Sequence, residues 1–344
     1  GWVEEDLMQI AQEHIAPPEV RSPFLPGTSI QFAWSSSSLD LLKRCPRLYE
    51  YIVILGYQSR DESIHLRFGI EYHTALQDYA IAIAKGIRHE DAIHDTIRSL
   101  HSRVFNWVVD RGTRAGKYKN RESIVALVVD YLDHFADDPA ETFILADGSP
   151  AVELSFRLEM DWGPKAGYEH PVMKSPNDVP YLLCGHLDRV VNFADNLYVM
   201  DHKTSMSTIG QYYFNQWSPS NQMTLYTYAG NIVLHSPVKG VIVSAAQIKL
   251  EEPNAFQRGF TYRTPDQLAE WTDDLRFWLG QAEAFATAGY WPQNDTSCSM
   301  FGGCKFREVC SKSPQVRETY LAATFDKVDP LMTPNNPFFD RNNE

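Results

Sequence analysis

Apolar and polar residues alternate through residues 151–160, with Val152, Leu154, Phe156 and Leu158 on one side and Glu153 opposite. A period of two is the signature of a half-buried strand. Two further strand-like runs, 181–193 and 197–203, are rich in Leu and Val, and Ala194-Asp195-Asn196 between them supplies turn chemistry, so a hairpin is expected. Residues 239–250 read as another strand. Helical spacing governs much of the remainder. Phe68-Gly69-Ile70-Glu71-Tyr72-His73 opens a helix in which Tyr72, Leu76, Tyr79 and Ile83 share a face. Ser35–Ser38 offers N-caps for a helix through Leu39, Leu41 and Leu42. Further helices are expected over 4–14, 90–109, 123–135, 219–234 (Ser218 as N-cap, Pro219 at its first position) and 264–289, with Pro265 in the first turn. Residues 162–179 are rich in Gly and Pro and read as a loop. From 315 to 344 the chain turns polar and rich in Pro and Asn, and poor order is expected there.

Composition narrows the class. With 44% hydrophobic and 22% charged residues over 344 positions, the chain is of ordinary globular type and can bury a core, as one large domain or two small ones. No apolar run approaches the roughly 18–20 residues of a membrane span, so no membrane partner is expected. Five cysteines are odd in number and not spaced as a disulfide framework, and no secretory leader opens the sequence, which points to a cytoplasmic, reducing setting.

A net charge of −13 argues against a broad nucleic-acid-coating surface. Screening confines charge to about 8–10 Å, however. One stretch is locally basic: residues 98–121 carry seven Lys or Arg against one Asp, and Arg111, Arg114, Lys117, Lys119 and Arg121 are concentrated at its end. Tyr118 lies among them and can stack on an unpaired base, which makes this segment a candidate DNA-binding loop. A solvated loop is the competing interpretation, since Gly112 and Gly116 punctuate it.

The hairpin carries the candidate chemistry. Asp201 and Lys203, two apart, share a strand face roughly 6–7 Å apart, and Asp188 lies on the partner strand in the same alternation as Cys184 and His186. Carboxylates suit Mg2+ or Mn2+, and a lysine beside them can position a water or balance phosphate charge. An Asp and a Lys two apart on a strand are, by themselves, most often a solvated surface pair. Gln222 and Tyr226 fall one helical turn apart on one face. Cys298, Cys304 and Cys310 have five residues between neighbours and no nearby His, unlike the tighter pairs of zinc sites. Four thiolates suit an iron–sulfur cluster, and only Cys45 or Cys184 remains to complete the trio.

Gly185-x-x-Asp188 followed by Asp201-x-Lys203-Thr204 resembles the core of the PD-(D/E)XK nucleases, in their RecB-like branch. Cys45-Pro46-x-x-Tyr49, Gly69-x-x-x-His73, Gln222-x-x-x-Tyr226 and the cysteine trio resemble the branch's other motifs, in its order, over residues 36–312. No one of them is specific; together they are strong. The resemblance is to the type carrying a 4Fe–4S cluster, AddB-like or CRISPR-adaptation-nuclease-like. It implies an α/β fold with a mixed central sheet flanked by helices, and an iron–sulfur-clasped terminal region. The domain plan implied is an extension at 1–34, a nuclease domain at 35–312 with a helical insertion near 86–145, and a flexible tail at 313–344. It implies that His73, Asp188, Asp201 and the His202 carbonyl hold Mg2+ or Mn2+, that Lys203 orients the attacking water, and that Gln222 and Tyr226 position the strand. Cys45, Cys298, Cys304 and Cys310 would hold the cluster, with Cys184 a core residue. Many members have two residues, not five, between the first two cysteines of the trio. The activity implied is metal-dependent hydrolysis of DNA, expected to be exonucleolytic on single strands or duplex ends, with a helicase or another recombination or repair protein as a candidate partner. Two other classes compete: a DNA-binding or assembly module with a vestigial site, and a redox iron–sulfur protein. The intact His/Asp/Asp/Lys set speaks against the first, and the lack of flavin or nicotinamide motifs weakens the second.

Overall fold

The computed structural model describes residues 21–164 and 179–339. They divide into two compact units, one from Glu62–Leu154 with His186–Asp266, the other from the described parts of Gly1–Asp61, Ser155–Gly185 and Gln267–Glu344. The helix expected over 4–14, most of the loop expected over 162–179 and the last five residues lie outside the described residues.

The first of these units holds three long helices. Helix α1 (Ile64–Ala84) begins four residues before the expected start, because Ser63 caps it by accepting the Leu66 amide. Helices α2 (His89–Val104) and α3 (Arg121–His134) pack with it and bury Phe68, Tyr72, Leu76, Leu100, Ile124, Leu127 and Leu132 in one cluster. Each such side chain contributes about 1.5–3 kcal/mol by leaving water. The buried Glu71 bridges Arg67 (3.1 Å) and Arg103 (2.7 Å), tying α1 to α2. Between α2 and α3, where a loop was expected, Arg114–Tyr118 forms a single helical turn capped by Thr113.

The same unit holds a mixed sheet. Strand β1 (Leu182–Phe193) enters at His186 and pairs antiparallel with β2 (Asn196–Ser205). The turn has two residues rather than three: Ala194 and Asp195 have φ of 48° and 63°, the left-handed pair of a type I′ hairpin, and Asn196 already belongs to the strand. Helix α4 (Asn221–Val233) is the crossover that allows the next strand, β3 (Gly240–Gln247), to run parallel to β2. Its cap is Ser220, which accepts the Met223 amide, not Ser218. A strand that the pattern did not reveal, β4 (Ala255–Thr261), closes the order β1-β2-β3-β4 antiparallel to β3.

In the other unit, Ala33–Trp34 pairs in parallel with Leu182–Leu183, and Ser35 and Ser38 form a capping box on the helix Ser36–Arg44. Pro46–Tyr49 runs into a π-helical turn, Glu50–Ile54. The segment from 313, expected to be a flexible tail, takes regular structure over part of its described length. Pro314–Thr324 is a helix with Leu321 in an apolar cluster, and Phe325–Lys327 pairs antiparallel with Tyr57–Ser59. Asn336 is buried and donates to the carbonyls of Arg21 and Leu331. No helix among the described residues is long and apolar enough to cross a membrane.

Candidate active site

The β1–β2 ladder runs to Arg189 opposite Met200, and the same register puts Asp188 opposite Asp201. Asp188 Oδ2 accepts the backbone N–H of His202 at 3.2 Å and stands 3.1 Å from Nδ1 of His73, supplied by α1. On β2, Lys203 Nζ lies 2.9 Å from Asp201 Oδ2 and donates to Gln222 Oε1 at 2.8 Å. Gln222 Nε2 in turn donates to the Tyr226 hydroxyl at 2.9 Å. Two strands and two helices thus bring His73, Asp188, Asp201, Lys203, Gln222 and Tyr226 into one connected set of polar contacts.

The electrostatics differ sharply among these groups. Burial pushes the Asp201 carboxyl up to about 6, against the pull of Lys203 and with the charge of Asp188 adding to the rise. Burial acts the same way on Asp188, but the His73 imidazole beside it wins and holds the carboxyl well below the usual range. The same pair raises His73 above its ordinary value although burial opposes its charge. His202 points to the other face of β2, where burial pushes its imidazole down to about 3, so it is neutral at physiological pH. Its ring packs edge-on against Tyr72, Tyr131 and His73. What it can offer a metal is therefore the backbone carbonyl.

The donor set fits a hard divalent cation: two carboxylates, an imidazole and a carbonyl. Asp201 Oδ2 is buried and, apart from the ammonium beside it, has no hydrogen-bond partner among the described residues. The Lys203 ammonium already meets that oxygen, and a carboxylate oxygen has a second lone pair that a metal ion could take. Among the described residues no group of three or more His, Cys, Asp or Glu side chains is arranged to hold a metal ion, and His73 is paired with Asp188.

Two aromatic residues near this set escaped the pattern of apolar spacing. The Lys203 ammonium lies 5.3 Å from the centre of the Trp217 ring. Burial pushes the Tyr213 hydroxyl up to about 12, and the Asp201 carboxylate adds to that shift. A cluster of aromatics soon after an Asp-x-Lys strand was the available signal.

The basic segment is less uniform than its sequence. Arg111 and Arg121 both pair with Glu122, and Arg114 lies over the Tyr118 ring at 5.3 Å. Lys117 is exposed. Lys119 is not: it is buried, its ammonium lies 3.0 Å from His65 Nδ1 and over the Phe68 ring, and burial lowers it to about 8. Its side chain does not face solvent with the others.

In the other unit, Cys45, Cys304 and Cys310 border one apolar cluster built on Leu48, Tyr51, Phe306 and Val309. Cys45 Sγ accepts the Asn294 amide at 3.4 Å, and the Cys304 amide donates to the Cys298 carbonyl at 2.9 Å. Burial raises the Cys310 thiol, Arg47 beside it pulls the other way, and Cys45 adds a small rise. All four are free thiols, and they do not form a closed iron–sulfur site. Cys184 is buried apart from them, and burial raises it to about 12, as suits a packing residue.

The model of the PD-(D/E)XK nuclease superfamily matches residues 33–311. No curated protein matches the chain. Among solved structures, a "Putative exonuclease" from Eubacterium rectale is similar at a TM-score of 0.45 and 10% identity, over 82% of this chain and 90% of that one. The family match takes in both hairpin strands, α1 and α4, and extends over well more than half of the sequence: the chain belongs to the PD-(D/E)XK nuclease superfamily.

Proposed function

We propose that the protein is a Mg2+- or Mn2+-dependent deoxyribonuclease that works as an exonuclease on single strands or duplex ends. The observation that carries this is the position of Lys203, its ammonium held between Asp201 and Gln222, with Asp188 opposite Asp201 in the strand register. His73, Asp188, Asp201 and the His202 carbonyl would hold the ion. When bound, the ion polarises the scissile phosphate and makes a bound water more acidic. The chain's own residues do the rest. Lys203 orients the attacking water and offers a fixed positive charge where phosphate oxygens gain negative charge. Gln222 fixes the ammonium, and Tyr226 fixes the orientation of the Gln222 amide. Against the pull of burial, Asp188 holds His73 above its ordinary value, and His73 would ligate the ion only in its neutral form.

Arg114 and Lys117, with Arg111 and Arg121 beside them, would gather the DNA strand by its phosphates. Cys45, Cys298, Cys304 and Cys310 would hold a structural 4Fe–4S cluster. The shared apolar cluster around three of these cysteines supports this. Digestion of end-labelled single- and double-stranded DNA with Mg2+ or Mn2+, wild type beside Lys203→Ala, tests the proposal. Wild type should cut and Lys203→Ala should not; equal cutting by both would reject the assignment.

A further inference from the structure

The segment joining β2 to α4 carries Tyr212, Tyr213, Phe214 and Trp217, and none of them has a part in the hydrolysis described above. It is firmly seated. The Phe214 ring lies against Gly259 of β4 so closely that a Cβ there would fall 2.2 Å from it. The Trp217 carbonyl accepts hydrogen bonds from Thr261 Oγ1 at 3.0 Å and Arg263 Nη2 at 2.8 Å. Trp217 lies under the Lys203 ammonium, the Tyr213 ring meets Trp217 edge-on at 6.2 Å, and Tyr213 feels the charge of Asp201. Tyr212, in the same helical turn Gln211–Asn215, is 93% exposed. A rigidly held aromatic segment therefore begins at the catalytic lysine and ends in a tyrosine ring offered to solvent.

We propose that this segment is the base-stacking platform of the nuclease, with Tyr212 stacking on an unpaired nucleotide beside the scissile phosphate. The inference rests on the nuclease reading and gives its substrate preference a physical cause. Every base has a π face, so stacking holds a strand without reading its sequence. Inside a duplex both faces of a base are already stacked, whereas a single strand offers a free face at every base. The place of Trp217 beside Lys203 sets the occupant: a strand whose phosphate meets that lysine has its neighbouring base next to this segment. The basic residues near 111–121 would act through charge on phosphates, with the Tyr118 ring covered by Arg114, so the two surfaces have separable effects.

The test uses the full-length protein and a labelled single-stranded oligodeoxynucleotide, alone or annealed as a blunt duplex. Binding is measured in Ca2+ and cleavage in Mg2+ for wild type, Tyr212→Ala and Tyr212→Phe. Tyr212→Ala should weaken single-strand binding by about tenfold or more, with duplex binding nearly unchanged. Tyr212→Phe should retain wild-type binding, because the ring rather than the hydroxyl is needed. An abasic site beside the cleaved bond should reproduce the loss in wild type and add nothing to Tyr212→Ala. Single-strand binding by Tyr212→Ala at wild-type affinity, or an equal loss on the duplex, would overturn the proposal. Absence of cleavage by wild type would reject the nuclease reading instead, and the binding comparison would still decide the platform.

Discussion

Lys203 and Gln222 are joined by a 2.8 Å hydrogen bond from ammonium to amide oxygen, and the same ammonium stands 2.9 Å from Asp201. A lysine side chain gives up roughly 1.5–2 kcal/mol of rotamer freedom when fixed, so a lysine held in one place near a strand end needs partners that fix it. Gln222 does this from α4, and its own amide is oriented by Tyr226.

We predict that Gln222→Ala lowers kcat by roughly ten- to a hundredfold with little change in KM, because a loosened lysine is misplaced in the transition state. Steady-state digestion over a range of oligonucleotide concentrations checks this. A raised KM with unchanged kcat would reassign Gln222 to strand binding.

Much of the site was legible because hairpins and helical turns have fixed side-chain periods. Asp201 and Lys203 fall on one face by alternation, and Gln222 and Tyr226 on one face by the helical turn. The glycine of Gly185-x-x-Asp188 also has a local cause, since a Cβ there would lie 2.7 Å from the Phe156 ring. What alternation cannot reveal is how far a polar side chain bends inward. Lys119 lies in a basic run yet its ammonium sits on His65 and Phe68. Strand β4 was missed because Gln257, Arg258 and Gly259 interrupt its apolar pattern, and Arg258 reaches inward to Asp138. The segment after 313 misled by composition, since a few apolar residues suffice to seat it: Leu321 in the cysteine-bordered cluster and Phe325 stacked on Phe306.

The Asp138–Arg258 pair makes a stability prediction. Burial would raise the Asp138 carboxyl, but the two-pronged bond from Arg258 (2.6 and 2.7 Å), with Arg189 nearby, holds it below its ordinary value. A carboxyl depressed on folding stabilises the protein above its unfolded value, about 3.9, and that contribution is lost as pH falls through the lower folded value. Asp138→Asn should therefore cost about 3–5 kcal/mol at neutral pH by stranding two guanidinium groups. It should also flatten the fall of stability below about pH 4. Urea unfolding of both proteins from neutral pH into the acid range measures both effects; parallel curves would refute the assignment.

The two kinds of lysine in the basic segment should separate in a salt titration. Arg114→Ala with Lys117→Ala should flatten the log–log salt dependence of single-strand binding by about 0.7 for each phosphate that is no longer neutralised. Lys119→Met should leave the slope unchanged, because its amine is buried. A slope reduced equally by Lys119→Met would show that this lysine reaches DNA after all.

The cysteines predict iron. Protein purified without oxygen should be brown, and Cys45→Ser, Cys304→Ser and Cys310→Ser should each lose iron and stability, while Cys184→Ser should keep both. Iron and sulfide analysis with thermal unfolding decides this. A colourless wild type with one zinc per chain would replace the cluster with a structural zinc site.

The central claim is that Asp201 is a metal-holding carboxylate of a DNA-cutting site. The direct measurement is metal-dependent cleavage of end-labelled DNA by purified Asp201→Ala, beside wild type, with the fold of both checked by circular dichroism. The account predicts that wild type cuts in Mg2+ or Mn2+ and stops on chelation, while the folded Asp201→Ala protein leaves the DNA intact in either ion. Substantial Mg2+-dependent cutting by folded Asp201→Ala would contradict it.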